Sequence, residues 1–442
     1  MNYSTLREKY NNFIYKSYDI SYNEDSIEIT YHFVVEGLTS FNPTIKINTD
    51  KYKDKSKDLI EKLVFNIGMV EVISYWKAVC SKNLIVEAGY LDDDQISFFK
   101  KLFYNGLGEF FYRNDIKVDY DSFINIKSTH EKEKDFEVDY EGFGNLIPLG
   151  GGKDSNVTLE ILKDYNNTVV VTNPKEVHFE CFKLSYAKDF LVLERTIDKN
   201  LLDLNKQGYL NGHTPFSAHV AFICFLGAYL LNKKYIVLSN EGSANEETVL
   251  GTNINHQYSK SYEYEMDFNN YAKKYFKVDI KYFSLLRCLN ELQIGLLFSK
   301  YEKYHKVFRS CNLGSKETPW KWCCKCPKCL FTFIIMAAFN NYDKVIDIFG
   351  KDLLDDEELL PTLKDLLGET NIKPFECIGT VKEVKEAMSL ISKNNTTSKL
   401  VKYYLDNYDV VEPQSLKEFN NENNIPSEYL NLVRKELDKY VG

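Results

Sequence analysis

Residues 150 to 155 read Gly-Gly-Gly-Lys-Asp-Ser, between an apolar run at 145–149 and an amphipathic stretch at 156–165. Glycines just ahead of a helix let backbone N–H groups converge on an anion, and the helix start adds partial positive charge. Phosphate is the expected guest. Gly150, Gly151 and Gly152 form the cradle, Lys153 neutralises charge, Ser155 donates to a phosphate oxygen, and Asp154 helps carry Mg²⁺ or fixes the loop. A Walker A loop would need glycine at 147 and serine or threonine at 154, where Ile147 and Asp154 stand. The loop is therefore of another kind, suited to gripping pyrophosphate. A tight turn whose glycines serve only packing is the plain alternative.

Cysteines make the second constellation. Cys311, Cys323, Cys326 and Cys329 combine two consecutive C-x₂-C spacings with a fourth sulfur from a short loop, which predicts a tetrahedral structural zinc site. An iron–sulfur cluster is the other outcome of such a set. Four protein ligands leave no open position, so the metal is expected to hold the fold and take no part in the reaction. Cys324 is the odd member, expected to pack. Lys316, Lys321, Lys325 and Lys328 interleave with Trp320 and Trp322, a mixture that suits RNA, a small polyanion or simply a solvated loop.

Both constellations need a frame. From 145 onward short apolar runs at 145–149, 168–173, 190–197, 235–240 and 278–286 read as strands, with helices expected at about 155–165, 200–207, 217–232, 257–275 and 289–305. Such alternation predicts an α/β fold, a doubly wound and mostly parallel sheet, with ligands beyond the carboxyl ends of its strands. The glycine loop, Asn173, Arg195, Asn240 with Glu241, and Arg287 all fall at or near those ends. Residues 1–140 read as an α+β domain, with strands at 26–37 and 44–49 and a helix at 58–80. A charged stretch at 128–144 marks the boundary to a domain at 141–340 that carries the phosphate loop and the cysteine site, and 341–442 reads as a helical region.

Composition bounds the partners. The 442-residue chain is 44% hydrophobic with net charge −9, which offers no general attraction to nucleic acid or anionic membrane. The longest apolar run, 220–231, is shorter than the roughly 20 residues of a membrane span. The amino terminus has no apolar signal core, so a cytoplasmic location is expected. Sequence sets no oligomeric state.

The loop resembles the SGGxDS loop of PP-loop ATP pyrophosphatases (the adenine nucleotide alpha hydrolase-like fold), which cleave ATP between its α and β phosphates; Gly150 replaces the first serine. Related enzymes such as 7-cyano-7-deazaguanine synthase carry a similar four-cysteine zinc site. The stretches at 106–115, 211–218, 239–247, 253–260, 282–292, 310–312, 322–329 and 373–379, in that order, resemble the UDP-N-acetylmuramoyl-L-alanyl-L-glutamate epimerases. The resemblance implies conversion of a terminal L-glutamate to D-glutamate on a UDP-sugar dipeptide, a small-molecule substrate, with ATP and Mg²⁺ consumed through an acyl-adenylate.

That chemistry has a physical rationale. Removing an α-proton beside a carboxylate would place two negative charges on adjacent atoms, whereas an acyl phosphate lets the carbanion delocalise as an enolate. Proton carriers are then needed on both faces, and His213, His256 and Glu241 are the candidates, with Tyr258 and Cys324 weaker. Arg195, Lys260 and Arg287 are expected to hold substrate carboxylates and phosphates, and Asn173 to sit by the adenine. Two other readings share the residues: an enzyme that amidates or thiolates an adenylated substrate, and a nucleotide-binding protein without turnover.

Overall fold

One sheet organises the chain. The computed structural model describes residues 2–132, 136–245, 255, 258–370 and 373–441. Its strands are β1 (Asn12–Tyr22), β2 (Ile27–Val35), β3 (Thr39–Phe41), β4 (Thr44–Ile47), β5 (Asn83–Val86), β6 (Asn125–Ser128), β7 (Asn145–Pro148), β8 (Asn167–Thr172), β9 (Asp189–Thr196), β10 (Tyr235–Leu238) and β11 (Lys281–Ser284). They pair in the order β11-β10-β7-β8-β9-β4-β2-β1-β5-β6, with β3 beside β2.

The five strands β7 to β11 are parallel. From β7 the chain moves outward to β8 and β9, then returns to the other side of β7 for β10 and β11. The order reverses between β7 and β10, and in open α/β sheets the crevice beyond such a reversal is where ligands bind. Period-two alternation sends neighbouring residues to opposite faces: Leu146, Leu191 and Ile236 join one buried core, and Ile147, Val169 and Val237 the other. The first core is closed by the helices Lys57–Trp76, Phe216–Leu230 and Tyr262–Tyr275. The second lies under Lys153–Ile161, Glu291–Ser299 and Pro327–Phe339, and under the helices of the C-terminal region. Those include Val381–Ser392, Lys399–Asn407 and Ser427–Asp438, the last tied to β7 by Tyr429 Oη donating to Asn145 Oδ1 at 2.8 Å.

The charged stretch at 128–144 joins the two halves of this sheet. β4 runs antiparallel to β9, with Ile45 opposite Arg195 and Ile47 opposite Leu193, so the N-terminal strands extend the parallel ones without a break. A helix not expected from sequence, Glu176–Leu184, connects β8 to β9. Among the described residues no helix is long and apolar enough to cross a membrane.

Candidate active site and metal centre

The glycine loop sits at the reversal point. Leu149 N–H donates to Val170 O, holding the chain on the sheet, and Gly151 then turns with φ +75°, a conformation that glycine adopts without strain. Arg309 N–H fixes the turn by donating to Gly151 O at 2.8 Å. Gly152 caps the helix Lys153–Ile161 without any side-chain hydrogen bond to the first turn, which leaves those amides for an anion. A Cβ on Gly150 would meet nothing within 4 Å, so that position is open. A Cβ on Gly152 would lie 2.6 Å from Ser310 Oγ. Ser310 thus brings a hydroxyl to a loop whose own first position is Gly150, a role the sequence did not single out.

Beside the loop lies a cavity of about 70 Å³. Lys153 and Asp154 reach it from the end of β7, Ser239 and Glu241 from the end of β10, and Lys260, Glu291 and Cys377 from more distant segments. Lys153 Nζ, only 3% exposed as a residue, is held between Asp154 Oδ1 at 2.5 Å and Glu291 Oε2. Burial would depress this ammonium, but Asp154 and Glu291 outweigh burial and keep it above its ordinary value. For Glu241, burial first and Asp154 second push the carboxyl pKa up, and Glu241 Oε1 has no hydrogen-bond partner among the described residues. Lys260 Nζ contacts Cys377 Sγ at 2.8 Å. Burial works against its charge, and Cys377, Glu241 and Asp154 more than compensate, so Lys260 stays an ammonium. A larger cavity of about 480 Å³, bordered by Tyr18, Lys62, Gln95 and Lys274, is lined by none of these residues.

The other expected residues have partners of their own. Asn173, at φ +51°, donates through Nδ2 to Arg195 O and accepts from Arg195 N–H, extending the β8–β9 pairing. The Arg195 guanidinium points away from the loop cavity and forks onto Glu71 at 2.8 Å through both Nε and Nη2, with Ser74 Oγ at 3.0 Å. His219 Nε2 lies 3.1 Å from the same carboxylate without hydrogen-bond geometry, and burial pushes its pKa down, so the ring is neutral. Arg287 is fully buried beneath the cavity, where it donates to the carbonyls of Glu241 and Lys260 and meets Glu265 Oε2 at 3.4 Å. It positions both cavity residues through their backbones. His213 Nδ1 faces Glu109 Oε2 at 3.4 Å, apart from the loop cavity, and His256 lies outside the described residues. Tyr258 is buried, and burial pushes its hydroxyl pKa up.

The four cysteines converge. Their sulfurs all lie within 4.8 Å of one another, with Cys311 to Cys326 at 3.9 Å and Cys323 to Cys329 at 3.7 Å. A tetrahedron with Zn–S bonds of about 2.3 Å has edges of about 3.8 Å, so the donor set fits zinc in both chemistry and size. Backbone N–H groups of Gly314 and Cys323 aim at Cys311 Sγ from 3.0 and 3.4 Å, as suits a thiolate. Gly314 is required here, because a Cβ would fall 1.7 Å from Lys321 O. Cys326 caps the helix that begins at Pro327, which anchors the centre to a buried element. Cys324 turns away at φ +55° and donates to Phe349 O, so it packs and does not ligate.

An α/β sheet with a glycine turn at its reversal point and a four-thiol cluster sets the fold class. Comparison narrows it. The family model described as the MurL N-terminal domain matches residues 4–285, and that described as the MurL C-terminal domain matches 307–417. A protein of Micromonospora sp. named UDP-N-acetyl-alpha-D-muramoyl-L-alanyl-L-glutamate epimerase is 34% identical over 80% of this chain and 79% of its own length. One of the same name from Xanthomonas oryzae pv. oryzae is 31% identical over 74% and 73%. The chain belongs to the MurL family. No solved structure matches it.

Proposed function

We propose that this chain epimerises the terminal L-glutamate of UDP-N-acetylmuramoyl-L-alanyl-L-glutamate to D-glutamate, in a cytoplasmic step of peptidoglycan precursor synthesis. The carrying observation is the meeting of the glycine cradle, at the sheet's reversal point, with a cavity that holds proton-bearing side chains. The names of the relatives support the substrate.

In this reading the sheet is that of a PP-loop ATP pyrophosphatase. The amides of Gly151 to Lys153, with Ser155 and the Ser310 hydroxyl, grip the phosphates of ATP. Asp154 would carry Mg²⁺, which supplies charge neutralisation at the phosphates, and the four cysteines would hold zinc as a brace. Attack of the glutamate α-carboxylate on the α-phosphate forms an acyl-adenylate and releases pyrophosphate. The activated α-proton leaves from one face, a proton returns to the other, and water then releases AMP. Glu241, whose buried carboxyl favours its neutral form, suits the role of acid.

Incubation with the UDP dipeptide, ATP and Mg²⁺ in deuterated water tests this. The expected outcome is AMP with pyrophosphate, and deuterium at the α-carbon of D-glutamate on chiral analysis. ADP formation, or epimerisation without nucleotide, would falsify it. An amidating enzyme would leave the α-carbon unlabelled. Gly151→Val is expected to lower AMP formation at least about a hundredfold, since one lost oxyanion-type donor set costs 10²–10³ in rate. Its strain at positive φ is roughly 1–2 kcal/mol, to which the crowding of Val177 at 3.3 Å from a new Cβ adds, so melting would also fall by several degrees.

A further inference from the structure

We propose that Cys377, held by Lys260, is one of the two proton carriers of the epimerisation, working opposite Glu241 across the cavity beside the glycine loop. The assignment rests on the function proposed above.

Three observations place it there. Cys377 lies in the segment between the helices Leu360–Leu366 and Val381–Ser392, yet it lines the cavity that also receives Asp154 from β7 and Glu241 from β10. Its sulfur contacts the Lys260 ammonium at 2.8 Å, although 117 residues separate the two in sequence. An ammonium against sulfur stabilises the thiolate, the form able to accept a proton, and leaves it partly accessible as a reactive cysteine requires. Glu241, only 5% exposed, presents Oε1 to the same cavity without a hydrogen-bond partner among the described residues. A buried carboxyl of this kind needs something to bind, and a substrate α-carbon between it and Cys377 would meet a proton acceptor and a proton donor carried on separate segments.

The cysteine differs from every other in the chain. Cys311, Cys323, Cys326 and Cys329 form the metal centre, Cys324 bonds Phe349, and Cys80, Cys181, Cys224 and Cys288 are buried, with burial pushing each thiol pKa up. Among the described residues Cys377 alone has a cavity-lining ammonium against its sulfur.

The step balances. In one direction the Cys377 thiolate takes the α-proton: an S–H bond forms, the C–H bond breaks, and its electron pair passes into the enolate of the activated carboxyl. The Glu241 carboxylic acid gives its proton to the opposite face of that carbon and becomes a carboxylate. Exchange with solvent returns both groups to their starting forms, and the reverse direction uses them in the opposite roles.

Cys377→Ser and Cys377→Ala separate this role from a structural one. Each is expected to lose epimerisation by roughly 10²–10⁴-fold, the usual contribution of a positioned acid or base. Pyrophosphate exchange into ATP, driven by the UDP dipeptide, should persist, which also reports a folded enzyme. In deuterated water the residual α-exchange should be confined to the epimer whose proton faces Glu241. Epimerisation within a few fold of wild type in either variant overturns the assignment, and so does joint loss of pyrophosphate exchange and α-exchange. A wild-type enzyme that makes no AMP from the UDP dipeptide overturns the functional reading itself, and this assignment with it, on a different observable.

Discussion

If the four thiols hold zinc, its removal is expected to disorder the cysteine loop in front of the helix Pro327–Phe339. Metal binding to a cysteine set of this type carries on the order of 10 kcal/mol. Whole domains have about 5–15 kcal/mol in total, so losing the metal would remove a large share of what orders the cysteine loop against its buried helix. The fluorescence of tryptophan reports it directly, because two of the three tryptophans, Trp320 and Trp322, lie in the cysteine loop. Trp322 packs on Phe308 and Phe349, while Trp76 sits in the opposite core against Phe103 and Phe123. Chelation should release one zinc per chain, red-shift the emission and expose sites for proteolysis after residue 307. Cys323→Ser and Gly314→Ala should purify with little zinc and the same altered emission. A metal-free chain with unchanged emission and resistance to protease would refute the centre's role as a brace.

Glu71→Gln is the second large effect. Glu71 is completely buried and its carboxylate is the only acid on the Arg195 fork among the described residues. Removing one partner of a buried pair leaves an uncompensated charge, at a cost of about 3–5 kcal/mol. Burial alone would raise the Glu71 pKa, but the Arg195 fork outweighs it and holds the carboxyl at about 2, below its ordinary 4.5. The sign follows from proton uptake. The unfolded chain binds the proton first as pH falls, so the stability Glu71 contributes is complete above about pH 4.5 and is lost as pH drops through about 2. Urea unfolding from pH 7 to pH 2 should therefore show a component in wild type that vanishes in Glu71→Gln. Glu71→Gln combined with Arg195→Met should recover part of the loss. Equal midpoints for wild type and Glu71→Gln at pH 7 would show that the pair is not stabilising.

Much of this was readable before any fold was seen. The five parallel strands announce themselves as short apolar runs, and the glycine loop follows the first of them. The cysteine spacing already groups the four thiols that the structure brings within 4.8 Å of one another. β1 escaped for a physical reason: a bulge between Tyr15 and Ser17 breaks its period-two pattern, so its apolar residues do not alternate along its whole length. The helix Glu176–Leu184 escaped because Lys175 is a poor start signal and the helix spans only 9 residues.

Arg195 is more instructive. It shares the parity of Leu191 and Leu193 on β9, which face the first core, so the alternation already placed it toward apolar surroundings. Its partner is also visible in retrospect, as the lone acid within the apolar run of the helix Lys57–Trp76. Position at a strand end suggested a substrate contact, and side-chain parity decided otherwise. Cys377 had no such signal. Only folding brings it to Lys260, and no local spacing encodes a contact made across 117 residues.

The union of β4 with β9 has one more consequence. β9 is an outer strand of the parallel set and is covered only because β4 runs beside it. A recombinant piece starting near residue 141 would present that strand's bare N–H and C=O groups to solvent, an invitation to intermolecular pairing. Such a piece is expected to self-associate on size-exclusion chromatography, whereas the whole chain keeps that strand paired.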